Sequence, residues 1–320
     1  MALGCFLSAG RSFARSVDRL RLAEDLGYDA AYVEHVAGAE SLTLLAAWSQ
    51  RSERIALGTA VVPIHSRTPA TMAQTAATLH AVSGGRARLG LGTSTGPIVE
   101  RWHGQEPGDP RAELPEYLRI VRAILDGEQA PAGERWRTSF RLRGLPAAPD
   151  LPLYAGVLHP DAIEAAAAVA DGVLLWLAPP GYVRDVVVPA VRAGRAAAGK
   201  PVEGFAIVAA VGGATGGEPD GVRDAAREGL RGYLQLGSYA DLLDRAGLAE
   251  ERAAATDPDA DPTRRDAAAD RLLDALAGIG DPDAVAAAVA RMRDAGATEP
   301  AIVPLPGGDR EATLRAAVRN

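Results

Sequence analysis

Apolar and polar positions along the chain fall into short blocks whose period switches between strand-like and helix-like. Leu3 to Ala9 is a short apolar run, expected as a first strand. Phe13 to Leu26 carries apolar residues at helical spacing and stops at Gly27. Ala30 to Val33 is a second strand ending in Glu34-His35, and Ser41 begins a helix running to about Arg51. The stretch from Ile55 to Ser94 is the clearest unit. Ile55 to Val62 is apolar and β-branched and ends at Pro63, so it predicts strand three. Thr68 is placed as N-cap with Pro69 at the first helical position, and Ser83-Gly84-Gly85 closes that helix after Val82. Arg86 to Gly92 resumes as strand four, giving a right-handed βαβ unit with parallel strands.

The later pattern repeats the alternation. Glu113 to Leu125 reads as a helix. Between Gly127 and Pro152 the chain is broken by prolines, and alternation from Trp136 to Arg143 predicts a loop carrying a small hairpin. Leu153 to Val157 is strand five, Pro160 to Ala170 its helix, Gly172 to Leu177 strand six, Tyr182 to Ala198 a helix and Phe205 to Val211 strand seven. Gly212 to Gly278 lacks a strand pattern and is expected as a mostly helical insertion, with helices at Val222–Leu236, Tyr239–Leu248 and Arg264–Leu276 and an acidic loop at Thr256–Pro262. Asp283 to Ala295, Ala301 to Leu305 and a helix from Asp309 complete an eighth unit. Eight strands each followed by a helix predict a single α/β domain over residues 1–320, a (β/α)8 TIM barrel with its insertion at about 212–278 after strand seven. An open doubly wound sheet would call for an early G-x-G-x-x-G, which the chain lacks.

Charge and composition narrow the function. The formal charge of −7 and a dispersed set of arginines argue against nucleic acid as a partner. No apolar run approaches the ~20 residues of a membrane span and no signal-peptide pattern opens the chain, so a cytoplasmic protein without membrane contact is expected. The single cysteine, Cys5, excludes an internal disulfide and reads as a small buried strand residue. No histidine pair at metal-ligand spacing, G-x-S-x-G elbow or P-loop is present, so no metal is expected.

The chemistry of such a barrel sits at the C-terminal strand ends. His35 lies at one, and imidazole titrates near neutrality and can exchange a proton there. The adjacent Glu34 carboxylate could tune or orient the ring, while a capping or solvated histidine is the plainer reading. His159-Pro160 opens a helix whose first N–H groups suit a phosphate, although Asp161 beside them would repel one. His159 itself suits an N-cap equally well. Trp176 ends strand six, where an aromatic packs either in the core or on a ligand.

Gly58-Thr59-Ala60-Val61, Pro69, Ala73 to Leu79, Ser83-Gly84-Gly85-Arg86 and Leu89 to Thr93 together resemble the luciferase-like monooxygenase superfamily, in order and over most of the chain. That superfamily includes bacterial luciferase, FMN-dependent monooxygenases and oxidoreductases using the deazaflavin coenzyme F-420. The resemblance implies a flavin-type ring in the barrel mouth. It implies that the Ala60-Val61 bond is a non-proline cis peptide on a bulge that abuts the ring. It implies that Gly92, Thr93, Ser94 and Thr95 face the ring's polar edge, that Gly156, Val157, Leu158 and His159 hold the cofactor phosphate, and that His35, with Glu34, is the acid/base group. Family sugar-phosphate dehydrogenases have a glutamate where Thr95 stands, and this chain departs from them there. Glu100, Trp102 and His103 either line the pocket or form a surface turn. The run from Gly92 to Gly104 resembles the deazaflavin-dependent branch. The expected activity is hydride transfer between reduced coenzyme F-420 and a small organic substrate. The alternatives are an FMN-dependent monooxygenase fed by a partner reductase and a non-catalytic flavin-binding scaffold. The resemblance also implies a homodimer, with the 212–278 insertion as a variable lid over the site.

Overall fold

In the computed structural model, which describes residues 2–319, ten short strands form one parallel sheet. They are β1 (Gly4–Phe6), β2 (Ala30–Val33), β3 (Ala56–Thr59), β4 (Val62–Pro63), β5 (Ala87–Gly92), β6 (Leu153–Gly156), β7 (Gly172–Leu175), β8 (Ala206–Thr215), β9 (Ala277–Gly280) and β10 (Glu299–Pro304). β3 and β4 are two halves of one stave, both paired with β5. Pairing runs β1-β2-β3-β5-β6-β7-β8, then β8 to β10 and β10 back to β1, which closes an eight-stave barrel. This is the (β/α)8 barrel expected from the alternation.

Side chains divide by parity, as a two-residue strand period requires. Ala30, Tyr32, Tyr154, Leu174, Val208 and Ala301 fill the interior, with Phe6, Ala60 and Val61 packed against them. Residues of the other parity, such as Ala31, Leu57, Leu89, Ala155 and Ile302, join the helices in the main core. Low in the barrel, Arg88 Nη1 donates to Glu299 Oε2 at 2.6 Å and to the Tyr32 hydroxyl at 3.0 Å, and Tyr32 donates to Glu299 Oε1 at 2.8 Å. Burial alone would lower the Arg88 pKa, but Tyr32 and Glu299 outweigh it and hold the guanidinium above its ordinary value. Gly58 is small because a Cβ there would meet the Tyr32 ring at 2.5 Å. The mouth therefore stands on a hydrogen-bonded floor. Cys5 is fully buried in β1, and burial pushes its thiol up.

Three expectations are corrected. No strand forms between residues 127 and 152, so the small hairpin is absent. Instead the Glu116 carboxylate accepts from the backbone N–H groups of Glu134, Arg135 and Trp136 at 2.9–3.0 Å, taking the place of a partner strand. Trp136 packs edge-on against Tyr117, with ring centroids 5.0 Å apart. Second, the glycine-rich stretch at 212 is not where strand structure stops. β8 runs on to Thr215, and β9 pairs with Gly212 to Thr215 along the edge that the shorter β7 leaves open. Between β8 and β9 lie four helices, Pro219–Leu234, Gly237–Arg245, Ala249–Thr256 and Pro262–Leu276, of which the third was not expected. Third, the helix after β7 is not uniform. It passes through a π turn at Val183–Val187 before Val188–Ala197, because Pro189 has no N–H to continue the ladder.

Candidate active site

The stave made of β3 and β4 carries an extra residue. Gly58 pairs with Arg88 and Val62 with Leu91, so four steps on this stave face three on β5, a bulge. Thr59 Oγ1 bridges the gap, donating to Gly90 O and accepting from Gly90 N, both at 2.9 Å. The Ala60-Val61 peptide is cis, as the family resemblance implied. Val61 is half-buried and wedged between two glycines. A Cβ on Gly92 would lie 2.7 Å from Val61 Cγ2, and a Cβ on Gly156 2.9 Å from Val61 Cγ1. Gly92 and Gly156 pair across β5 and β6. The result is a shelf of small side chains at the C-terminal rim, in which Val61 takes the room left by the two glycines.

His35 stands just past β2, beside that stave. Its Nδ1 is 2.8 Å from Ser41 Oγ and 3.4 Å from Glu40 Oε1. Glu40 in turn caps the helix Ser41–Ser49 through the N–H groups of Leu42 and Thr43 and pairs with Arg67 at 3.0 Å. Desolvation lowers the His35 pKa, Glu40 opposes this, and Arg67 and His103 add to the lowering. The ring is therefore neutral at neutral pH. Glu34 is not its orienting partner. Both residues lie past the end of β2, and Glu34, exposed, borders a cavity of ≈ 110 Å³ with Phe6, Arg19, Trp176 and Arg310. The orienting groups are Ser41 and Glu40 instead. Neither was singled out from the sequence, because the contact depends on how residues 36–40 turn back; the N-capping position ahead of the Ser41 helix was the available signal.

At the end of β5, Thr93 and Thr95 are half-buried and Ser94 is exposed with a left-handed φ of 62°. That conformation turns the chain sharply into the helix Gly96–His103. Glu100 is exposed on this helix and Trp102 is 54% exposed, so neither side chain is packed beneath it. At the end of β6, Gly156, Val157, Leu158 and His159 lead into the helix Pro160–Ala167. His159 caps that helix, its Nδ1 accepting from Asp161 N at 3.2 Å. Asp161 is exposed, with Arg111 3.9 Å away to offset its charge. His65 is buried and hydrogen-bonds Glu113 at 3.2 Å, and His80 faces Asp150 at 3.3 Å.

Trp176 follows β7 and meets Phe6 edge-on at 5.4 Å and Tyr233 of the helix Pro219–Leu234 at 6.3 Å. Burial raises the Tyr233 phenol pKa, and the Glu34 charge raises it further. A second cavity, of ≈ 200 Å³, lies between this helix and the barrel. The expected residues thus fall on consecutive staves from β2 to β7, with the helical segment reaching Trp176 from above. Among the described residues no group of three metal-ligating side chains assembles, and no helix is long and apolar enough to cross a membrane.

Comparison with known proteins agrees with this architecture. Residues 1–299 match the family model described as luciferase-like monooxygenase. A Mycobacterium tuberculosis protein named as a coenzyme F-420-dependent oxidoreductase is 35% identical over 169 residues, a segment spanning 48% of either chain. A 5,10-methylenetetrahydromethanopterin reductase of Archaeoglobus fulgidus is 28% identical over 72% of this chain and 69% of its own. Among solved structures, the coenzyme F-420-dependent tetrahydromethanopterin reductase of Methanopyrus kandleri superposes with a TM-score of 0.78 at 22% identity, covering 99% of this chain and 97% of that one.

Proposed function

This chain belongs to the luciferase-like monooxygenase family, and from that premise we propose an oxidoreductase that moves a hydride between coenzyme F-420 and a small organic substrate. The observation that carries the reading is the shelf at Ala60-Val61, where the missing side chains of Gly92 and Gly156 make room for Val61. The residues present fit a flat tricyclic ring. Ala60 and Val61 would lie against it, Gly92, Thr93, Ser94 and Thr95 along one edge, and Trp176 on the far side of the mouth. The turn Gly156-Val157-Leu158-His159 would take the phosphate at the start of the helix Pro160–Ala167. When bound, the deazaflavin supplies two-electron hydride chemistry that side chains lack.

The protein's own task is the accompanying proton. His35 Nδ1 faces a carboxylate that can only accept and a hydroxyl that can accept. This favours the tautomer with the proton on Nδ1 and leaves a lone pair on Nε2. In this reading Nε2 takes the proton from a substrate hydroxyl, or returns it in the reverse direction. Ser41 and Glu40 hold the ring in place. Glu34 and Trp176 shape the space where the substrate lies, and the helical segment after β8 serves as a lid that excludes water. The proposal extends to a cytoplasmic homodimer supplied with reduced cofactor by a separate reductase; light scattering of the purified protein reads the dimer.

Titrating the purified protein with F-420 and FMN separately tests the reading. F-420 binding together with anaerobic turnover supports it. Preferential FMN binding with oxygen-dependent turnover moves the chain to the monooxygenase branch, and binding without turnover on any substrate panel favours a scaffold.

A further inference from the structure

The cavity of ≈ 200 Å³ under the helical segment is lined without a single charged side chain. Leu230, Leu273 and Leu276 close it from the helices, and Trp176 and Leu305 from the barrel. Its polar groups are the Tyr233 hydroxyl and the Trp176 indole, whose Nε1 is buried without an acceptor of good geometry. A charged group entering this space would lose its water and find no counter-charge. An apolar group would lose water at a gain. The size is also informative, since an apolar cavity of about 150 Å³ accommodates one benzene ring.

The cavity is not isolated. Trp176 and Val303 border both it and the smaller cavity that holds Glu34. The apolar space therefore adjoins the Glu34 cavity across Trp176. From these observations we infer that the substrate is an uncharged compound which seats a ring-sized apolar group between the helical segment and the barrel, with its reacting carbon directed past Trp176 toward the shelf. This rests on the hydride-transfer reading for the reaction, while the apolar seat rests on the cavity alone.

Gly229 provides the test. It lines the cavity, is itself exposed, and a Cβ added there meets no atom within 4 Å, so a larger side chain can occupy the cavity's open side without disturbing its neighbours. Gly232, on the same helix, is exposed, equally open to a Cβ and not part of the lining. Binding of cyclohexanone and of cyclohexanecarboxylate is measured by ligand-observed NMR on the full chain, with F-420 affinity measured separately by fluorescence. Cyclohexanone should bind wild type and Gly232→Leu alike, and Gly229→Leu should weaken it about tenfold or more. Cyclohexanecarboxylate should bind wild type about tenfold or more weakly than the ketone. F-420 affinity should be the same in all three proteins. Failure of cyclohexanone to bind wild type, equal binding to Gly229→Leu, or carboxylate binding as tight as the ketone overturns the inference even if F-420 binds. Loss of F-420 binding with ketone binding intact sinks the cofactor reading and leaves the apolar seat standing.

Discussion

Val61 occupies the space that a side chain on Gly92 would need, its Cγ2 lying 2.7 Å from where that Cβ would sit. Gly90, two residues earlier, is constrained differently. A Cβ there would run into the Thr59 carbonyl, which is backbone and cannot rotate away, and into Leu174. Gly92→Ala is thus expected to cost about 1–3 kcal/mol, the usual range for overpacking, because Val61 can turn outward. Gly90→Ala should cost more than Gly92→Ala, and urea unfolding of the two variants reads the order directly.

His35 is held by Ser41 and Glu40 rather than by its sequence neighbour Glu34. Replacing His35 by Ala should lower kcat about 10²–10⁴-fold, the range for a general acid/base group, with cofactor affinity unchanged. Ser41→Ala should have a smaller effect, because the ring keeps Glu40. Steady-state kinetics beside a cofactor titration separates the two contributions.

The pH dependence has a definite sign. Desolvation holds the His35 pKa below its ordinary value of 6.5, with Glu40 pulling it back up. The folded state therefore binds this proton less readily than the unfolded chain. The stability it contributes is complete above the ordinary value and is lost as pH falls through it toward the folded pKa. Turnover that uses His35 as proton acceptor should keep its acidic limb below the ordinary imidazole value. Glu40→Gln removes the group that raises the pKa, so the limb should move to lower pH still. A shift to higher pH in a kcat profile would contradict the assignment.

The barrel floor makes a separate prediction. Glu299 is 4% exposed and accepts from both Arg88 and Tyr32. Glu299→Ala strands the Arg88 charge inside the barrel and should cost about 3–5 kcal/mol, the range for one partner lost from a buried pair. Tyr32→Phe removes one hydrogen bond to each of the two charged groups but leaves the Arg88–Glu299 pair in place, and should cost about 1.5–3 kcal/mol, less than Glu299→Ala. Urea unfolding curves of the two variants test this difference.

Much of this architecture was legible in the chain because its signals are local. Ala30–Val33 was bounded as found, and Thr68-Pro69 and Ser83-Gly84 mark the ends of a helix observed at Pro69–Val82. The cis step at Ala60-Val61 was carried by family resemblance and is present. What escaped depends on partners distant in sequence. β9 reads Ala-Gly-Ile-Gly, with no β-branched alternation, and is a strand because β8 offers it an open edge. The Trp136–Arg143 alternation resembles a hairpin, yet Glu116 captures the backbone that a second strand would have paired. The roles of Glu40, Ser41 and Tyr233 likewise appear only once turns and the helical segment are folded against the mouth. Adjacency in sequence pairs Glu34 with His35, whereas the turn after β2 sets Ser41 and Glu40 against the ring.

Whether the Val61 shelf receives a flavin-type ring is read from cofactor titration of wild type beside Gly92→Ala. Wild type should give a saturable change in F-420 fluorescence. The variant should bind about tenfold or more weakly, or about 1.4 kcal/mol, while circular dichroism shows both proteins folded. Absence of any saturable change with wild type for F-420 or FMN, or equal affinity in the two proteins, would contradict a ring on this shelf.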